Sequence, residues 1–350
     1  MAKHFASVRS AVESRDWPAA HQHALKAGAA AEAMKDFAGM WRAGNDLERF
    51  NEFGIAGRLL AQCGRVVAHT IGTEWDGRDL PNGTLLIEQR IRSVGAPIRT
   101  ARLAGLAGKH AGRCIVLIEP RLVSLFSRSF PGLDVRANGP DDEKVRGEAD
   151  VVASFETLMQ HLAPDAATLA ANFSPLRPDA GLVRDFRERY RPANSRLPVI
   201  GISWGSTNKA KDLPPLDCWA RLLQEIPAHF ISLQYGDVKA DLAILQASGV
   251  ALWTDPGVDS LVDLDTFAAQ VASLDAVVTI SNTTAHLAGA LGVPTIVVLE
   301  DKFFMIWPVG DDRTPWYPET VLVRKQARDW AQTFADARDR VRMILATTRA

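Results

Sequence analysis

The sequence predicts an α/β protein in which two successive Rossmann-like parallel sheets follow a helical N-terminal segment. Three observations carry this prediction. Residues 1–65 hold no strand-like run, are rich in Ala and repeat apolar residues three and four positions apart. From Thr84 onward, short Val/Ile/Leu runs alternate with helical stretches, the βαβ rhythm of a parallel sheet. After the proline-rich stretch 172–198 that rhythm restarts with more continuous apolar runs, as strands covered on both faces require. The expected domains are a helical segment at 1–70, a first Rossmann-like domain at 71–180 and a second at 181–350. Two successive open sheets imply a cleft between them, with ligands beyond the C-terminal strand ends.

Taken in order, the helical segment predicts two helix–turn–helix units. One is Val12 to Ala27 around the Arg15-Asp16-Trp17 turn; the other is Phe37 to Leu60 around Gly44-Asn45-Asp46. They resemble degenerate tetratricopeptide units, although turns about 29 residues apart fall short of the ~34 of that repeat. A plain helical extension packed on the body is the alternative. In the first sheet region TLLIE (84–88), CIVLIE (114–119), LDVRA (133–137) and DVVA (150–153) read as strands. Ile98 to Ala111 and Pro120 to Phe130 read as helices, and 172–198 as an interdomain connection containing a charged helix.

In the second region PVIGISW (198–204), HFISLQ (229–234), VALW (250–253), AVVTI (276–280), PTIVVL (294–299) and VLVR (321–324) read as strands. Helices are expected at Leu216 to Glu225, Lys239 to Ala247, Leu264 to Leu274, Thr284 to Leu291 and Ala327 to Leu345.

Composition narrows the function. The 350 residues are 47% hydrophobic and 23% charged, ordinary for a globular chain. Forty basic residues against 41 acidic ones leave a net charge of −1, so no global field holds nucleic acid. Cys63, Cys114 and Cys218 are far apart, which disfavours a disulfide framework or a zinc site. The start, MAKHFASVRSAVESRDW, lacks a signal peptide's apolar core, and no apolar run reaches membrane-spanning length. A cytoplasmic protein is expected.

Three stretches could carry chemistry. Ser203 to Lys211, SWGSTNKAK, directly follows a strand. Its small and hydroxylated residues let backbone amides approach an anion, and Lys209 and Lys211 offset its charge. It lacks Walker spacing, and an ordinary surface turn is the alternative. Ser281 to Ala290, SNTTAHLAGA, joins a strand to a helix whose N-terminus offers free N–H groups to a phosphate. There Ser281 or Asn282 can cap, Thr283 and Thr284 add hydroxyls, and His286 faces either ligand or core. The third stretch, Trp307 to Gly310 with Thr314 to Pro318, walls a pocket or simply packs. No GxSxG elbow, HExxH motif or GxGxxG fingerprint is present, which disfavours hydrolase, zinc-protease and dehydrogenase readings.

Together these motifs resemble a known family. VIGISWGSTNKAKDLPP (199–215), FISLQYG (230–236) and the run from Asp265 to Leu299 are similar to bacterial tetratricopeptide-repeat-linked glycosyltransferases. These are relatives of the heptosyltransferases and, more distantly, of the O-GlcNAc transferases. TPWYPETVLVRKQARDW (314–330) resembles their ending, and Trp75-Asp76-Gly77 with LPNGTLLIE their first sheet. The resemblance spans roughly 74–345 and is strongest in the second half.

It implies a GT-B fold, two Rossmann-like domains facing a cleft, with a nucleoside-diphosphate sugar as donor and no metal required. The UDP, GDP or ADP form stays open. Lys209 is implied at the diphosphate, with Lys211 as second possibility, Ser206 and Thr207 lining the same loop. Asn282, Thr283, Thr284 and His286 are implied around the phosphates, and Gln234 and Tyr235 near base or ribose. The implied acceptor is a hydroxyl on a protein or glycan, transfer is inverting, and the N-terminal helices offer a surface to a protein partner.

One departure matters. Where the family carries an acidic residue after its first strand, this chain has Ala96, so the obvious acceptor base is missing. Glu88 is the candidate substitute, or else a strand-end surface carboxylate. Arg90, Arg92, Arg99 and Arg102 bind an anionic acceptor or are merely solvated. Loss of the base also allows a catalytically impaired nucleotide-sugar-binding or scaffold protein.

Overall fold

Three left-handed turns divide the N-terminal segment into four consecutive helices. They are α1 (Ala2–Glu13), α2 (Trp17–Ala33), α3 (Phe37–Arg49) and α4 (Phe53–Val67). Arg15, Lys35 and Asn51 adopt left-handed φ values of 57°, 51° and 61°. The next amide then bonds five residues back, Asp16 to Ala11, Asp36 to Ala31 and Glu52 to Leu47, at 2.8, 2.9 and 3.1 Å. This closes each helix with a Schellman turn. Asp16 and Asp36 cap the following helices by accepting from the amides of Ala19 and Gly39. The Arg15–Trp17 turn therefore forms as expected. The turn expected at Gly44-Asn45-Asp46 does not; those residues lie inside α3, and the true turns are at Lys35 and Asn51. Gly44 serves close helix packing instead, since a Cβ there would meet Leu60 Cγ at 2.7 Å.

The computed structural model describes residues 2–68, 72–90, 93–300, 306–325 and 329–347. The next elements are β1 (Leu80–Glu88), α5 (Gly95–Ala107), β2 (Ala111–Ile118), α6 (Val123–Ser129) and β3 (Asp134–Ala137). They are followed by α7 (Asp142–Arg146), β4 (Val151–Ser154), α8 (Phe155–Leu162) and α9 (Ala166–Ala171). The strands form a parallel sheet in the order β3-β2-β1-β4. Leu85, Leu86 and Ile87 of β1 are fully buried, as a central strand covered on both faces requires. Glu88, the last residue of β1, stands beside Leu117 and Ser154 at the C-terminal edge. Trp75 is buried; its amide bonds Val152 and its indole N–H donates to the Arg78 carbonyl. The helix expected to run to Ala111 stops at Ala107, because Ala111 already begins β2. Helices α7 to α9 had no counterpart in the sequence reading.

The remaining elements are α10 (Ala180–Tyr190), β5 (Val199–Ser203), α11 (Leu216–Gln224), β6 (His229–Ser232), α12 (Lys239–Ala247) and β7 (Leu252–Trp253). Then follow α13 (Leu264–Ala272), β8 (Ala276–Ile280), α14 (Thr283–Ala290), β9 (Thr295–Leu299), β10 (Arg313–Thr314), β11 (Tyr317–Arg324) and α15 (Trp330–Thr347). The sheet order is β10-β11-β9-β8-β5-β6-β7, with β10 antiparallel and the rest parallel. From β5 the chain first fills one side of the sheet with β6 and β7, then the other with β8, β9 and β11. The strand order therefore reverses between β5 and β8, and a crevice opens there beyond the C-terminal strand ends. The expected start of the last helix at Ala327 lies outside the described residues.

The chain divides into two compact units, Met1–Ser174 with Phe303–Asp311, and Pro175–Lys302 with Asp312–Ala350. The helical segment, expected as a domain of its own at 1–70, thus shares a unit with the first sheet. The boundary expected between 180 and 181 falls at 174/175. No helix among the described residues is long and apolar enough to cross a membrane.

Candidate functional site

The switch point of the second sheet is where the two phosphate-like loops meet. Ser203 ends β5 and is fully buried. Its hydroxyl accepts from Asn282 Nδ2 at 2.9 Å and donates to Gln234 Oε1 at 3.1 Å. The same Gln234 oxygen accepts from the amides of Trp204 and Gly205 at 2.9 and 2.6 Å. The loop after β5 is thus pinned to the end of β6 by one neutral side chain. Gly205 is required by this approach, since a Cβ there would lie 2.9 Å from Gln234 Nε2. Asn282 also donates to the Gly205 carbonyl at 3.3 Å.

Asn282 does a second job. Its Oδ1 accepts from the Ala285 amide at 3.2 Å and caps α14. Thr283 is half-buried and Thr284 buried in the first turn of that helix. Lys211 Nζ reaches across and donates to the Ser281 carbonyl at the end of β8. An ammonium and a helix N-terminus are thereby brought to one crevice, which is an arrangement for binding an anion. Burial pulls the Lys211 ammonium below its ordinary value, and the Glu300 carboxylate opposes that pull.

The residues expected at the site are not all drawn together. Lys209 is exposed on the same loop, while Lys211 is the lysine that bridges to β8. Ser206 is half-buried, and its hydroxyl accepts from the Asn208 amide at 3.2 Å. Thr207 is exposed, and its amide lies 3.3 Å from the Tyr235 hydroxyl. His286 turns toward β11, with Nδ1 3.1 Å from the Tyr317 hydroxyl and only 9% of the residue exposed. Sequence reasoning placed Ser203 in the anion loop but not as the residue that ties that loop to Asn282 and Gln234, and gave no role to the Ser281 carbonyl. Their signal is tertiary: both sit at ends of strands that pair with each other.

The aromatic loop is packing, not a pocket wall. Trp307, Trp316 and Tyr317 are each 1% exposed or less; Trp307 belongs to the first compact unit, Trp316 and Tyr317 to the second.

The C-terminal edge of the first sheet is built differently. Glu88 is 3% exposed, with Arg90 Nε at 2.9 Å and Arg146 Nε at 2.8 Å on its two oxygens. Arg90 continues to Glu74 through two bonds of 2.9 and 2.8 Å, and Glu74 also holds Arg65 and Thr157. These partners hold the Glu74 carboxyl below its ordinary range despite burial. Glu88 is therefore an internal ion-pair residue and not the surface carboxylate of the plainer expectation. The arginines are not solvated either. Arg90, Arg99 and Arg102 are all buried; Arg99 pairs with Glu48, and Arg102 lies 5.6 Å over the Phe173 ring. Arg92 lies outside the described residues. Among the described residues, no group of three or more His, Cys, Asp or Glu side chains is arranged to hold a metal ion.

Comparison with known proteins agrees with this architecture. No family model matches the chain. It is 27% identical over 282 residues to Protein FlbA of Caulobacter vibrioides, covering 75% of this chain and 47% of that protein. The chain thus spans about half the length of that curated relative. Its fold is similar to that of Escherichia coli ADP-heptose LPS heptosyltransferase II, with a TM-score of 0.55 at 12% identity, covering 76% of this chain and 100% of that one. A family 9 glycosyl transferase from Veillonella parvula gives a TM-score of 0.50 at 11% identity, covering 72% and 89%. The chain has a GT-B-like glycosyltransferase fold with a helical N-terminal segment.

Proposed function

We propose that this chain is a glycosyltransferase of the tetratricopeptide-linked, heptosyltransferase-related kind. It transfers a sugar from a nucleoside-diphosphate donor to a hydroxyl on a protein or glycan. The observation that carries this reading is the clasp at the switch point: Ser203, Gln234 and Asn282 lock the two loops, and Lys211 faces the capped N-terminus of α14. The departing diphosphate develops negative charge as the acceptor hydroxyl attacks the anomeric carbon. Lys211 and the α14 amides neutralise that charge without a resident metal, and Thr283 and Thr284 add hydroxyl donors. Tyr235, beside the Thr207 amide, borders the base or ribose. Inversion follows from direct displacement. The helical segment presents exposed Met34, Phe37 and Trp41 to a protein partner.

A second reading has its own observation. Glu88 is held between two guanidiniums, and Ala96 brings no carboxylate, so neither of these positions supplies a ready base. A nucleotide-sugar-binding protein without transfer fits that edge. Calorimetric titration with UDP, GDP, ADP and CMP, on the unaltered chain and on Lys211→Ala, tests the shared part. Selective binding lost in the variant supports both readings, and no binding of any nucleotide sinks both. Turnover of the matching sugar nucleotide then separates transferase from binder.

A further inference from the structure

The loop that carries Lys211 is anchored at its far end by a carboxylate outside the clasp. The amide of Asp212 donates to Glu300 Oε2 at 2.7 Å, and Glu300 directly follows β9. The Asp212 carboxylate takes Lys325 Nζ at 2.7 Å, just past β11. Lys325 in turn lies 4.8 Å over the Trp330 ring at the start of α15. Three later elements therefore fix the peptide that follows Lys211.

That peptide decides what Lys211 can do. Lysine has a long stem whose ordering costs considerable rotamer freedom. If the backbone also had to be ordered, a single ammonium contact would not repay the cost. With the Lys211–Asp212 peptide held, only the side chain remains to be placed, and its Nζ spans to the Ser281 carbonyl. A mere counter-ion role for Glu300 beside Lys211 is the plainer alternative. The direct contacts argue otherwise: the carboxylate meets the backbone amide, while the ammonium meets Ser281.

We infer that Glu300 is a positioning residue of the nucleotide site: by anchoring the Asp212 amide it presents Lys211 to the donor's diphosphate. The inference rests on the nucleotide reading above. On binding, Lys211 exchanges the Ser281 carbonyl for a phosphate oxygen, while the Asp212–Glu300 bond stays in place.

The test uses the full chain, Glu300→Ala and Glu300→Gln, with two readouts: hydrogen exchange at the Asp212 amide, and titration with ADP, GDP and UDP. In Glu300→Ala the Asp212 amide exchanges at least about tenfold faster, and nucleotide affinity falls about tenfold, the loss of one charge-assisted hydrogen bond. Glu300→Gln keeps an oxygen for the Asp212 amide, so both quantities stay within about threefold of the unaltered chain. Unchanged exchange and affinity in Glu300→Ala overturn the inference. So does equal weakening in both variants with Asp212 exchange unchanged, because charge and not anchoring would then be at work. If the unaltered chain binds none of the three nucleotides, the nucleotide reading falls by itself. Faster Asp212 exchange in Glu300→Ala then still supports the anchor, and unchanged exchange overturns it.

Discussion

The C-terminal edges of the two sheets use opposite chemistry for the same task of fixing loops. At the first edge a chain of charges, Glu74–Arg90–Glu88–Arg146, with Arg90 and Glu88 buried and the two ends half-buried, pairs within itself. At the switch point of the second, neutral groups do the fixing, namely the Gln234 amide, the Ser203 hydroxyl and the Asn282 amide, and the charged contacts of Glu300 and Lys325 hold the loop only beyond Lys211. An edge whose charges are already paired with one another has little left for a ligand. An edge held by neutral groups can keep its cation and its helix N-terminus for an incoming anion.

The comparison breaks most visibly at Glu88. Glu88→Ala takes one buried partner from Arg90, which keeps Glu74, and from half-buried Arg146, and should cost about 1.5–3 kcal/mol in chemical denaturation. Nucleotide binding by the remaining folded protein should be unaffected; a lost nucleotide response would show that the first edge belongs to the binding site after all.

Lys211→Ala is expected to do the reverse. It should lower nucleotide affinity at least about tenfold in calorimetry, as removal of a charged hydrogen-bond donor does, with little change in midpoint of unfolding. Asn282→Ala sits between the two. It removes both a helix cap and the bridge to β5, so about 1–2 kcal/mol of stability should go together with affinity.

Acid sharpens the contrast. The Glu74 carboxyl is held below its ordinary 4.5 by Arg90, Thr157 and Arg65. Its contribution is complete above that unfolded value and is lost as pH falls through the lower folded one. Hydrogen exchange below about pH 4.5 should therefore show β1 and β4 losing protection before β5 and β8. Equal loss in both sheets would show that the Glu74 pairing is not what holds the first edge together. The smallest effect is expected for Lys209→Ala, an exposed lysine, with less than about twofold change in affinity.

Much of the second sheet was readable because its strands are short, continuous Val/Ile runs bounded by turn residues; β8 and α12 fall where the pattern puts them. Of the helical turns, the one at Arg15 was readable and those at Lys35 and Asn51 were not: Lys35 carries no turn signal, while Gly44, which does, is spent on packing against Leu60. The site shows the same limit. Lys209 and Lys211 are equivalent in local sequence, and only the Ser281 carbonyl, 70 residues later, distinguishes them. Arg99 looked solvated for want of a nearby acid, yet its partner Glu48 comes from α3, 51 positions away. Local pattern records periodicity and punctuation; it does not record which distant carbonyl or carboxylate closes a contact.

The seven-stranded sheet ends on both sides in strands of two residues, β10 and β7. A growing fibril needs a run of unpaired backbone to copy, and the two outermost strands themselves, at two residues each, are too short to supply one. Strands as apolar as β5, β8 and β9 would be hazardous if they ever stood at the outside, but the order of the sheet keeps all three enclosed. The brevity of the two outer strands is thus a safeguard against self-association that a chain with so many Val and Ile runs has particular need of.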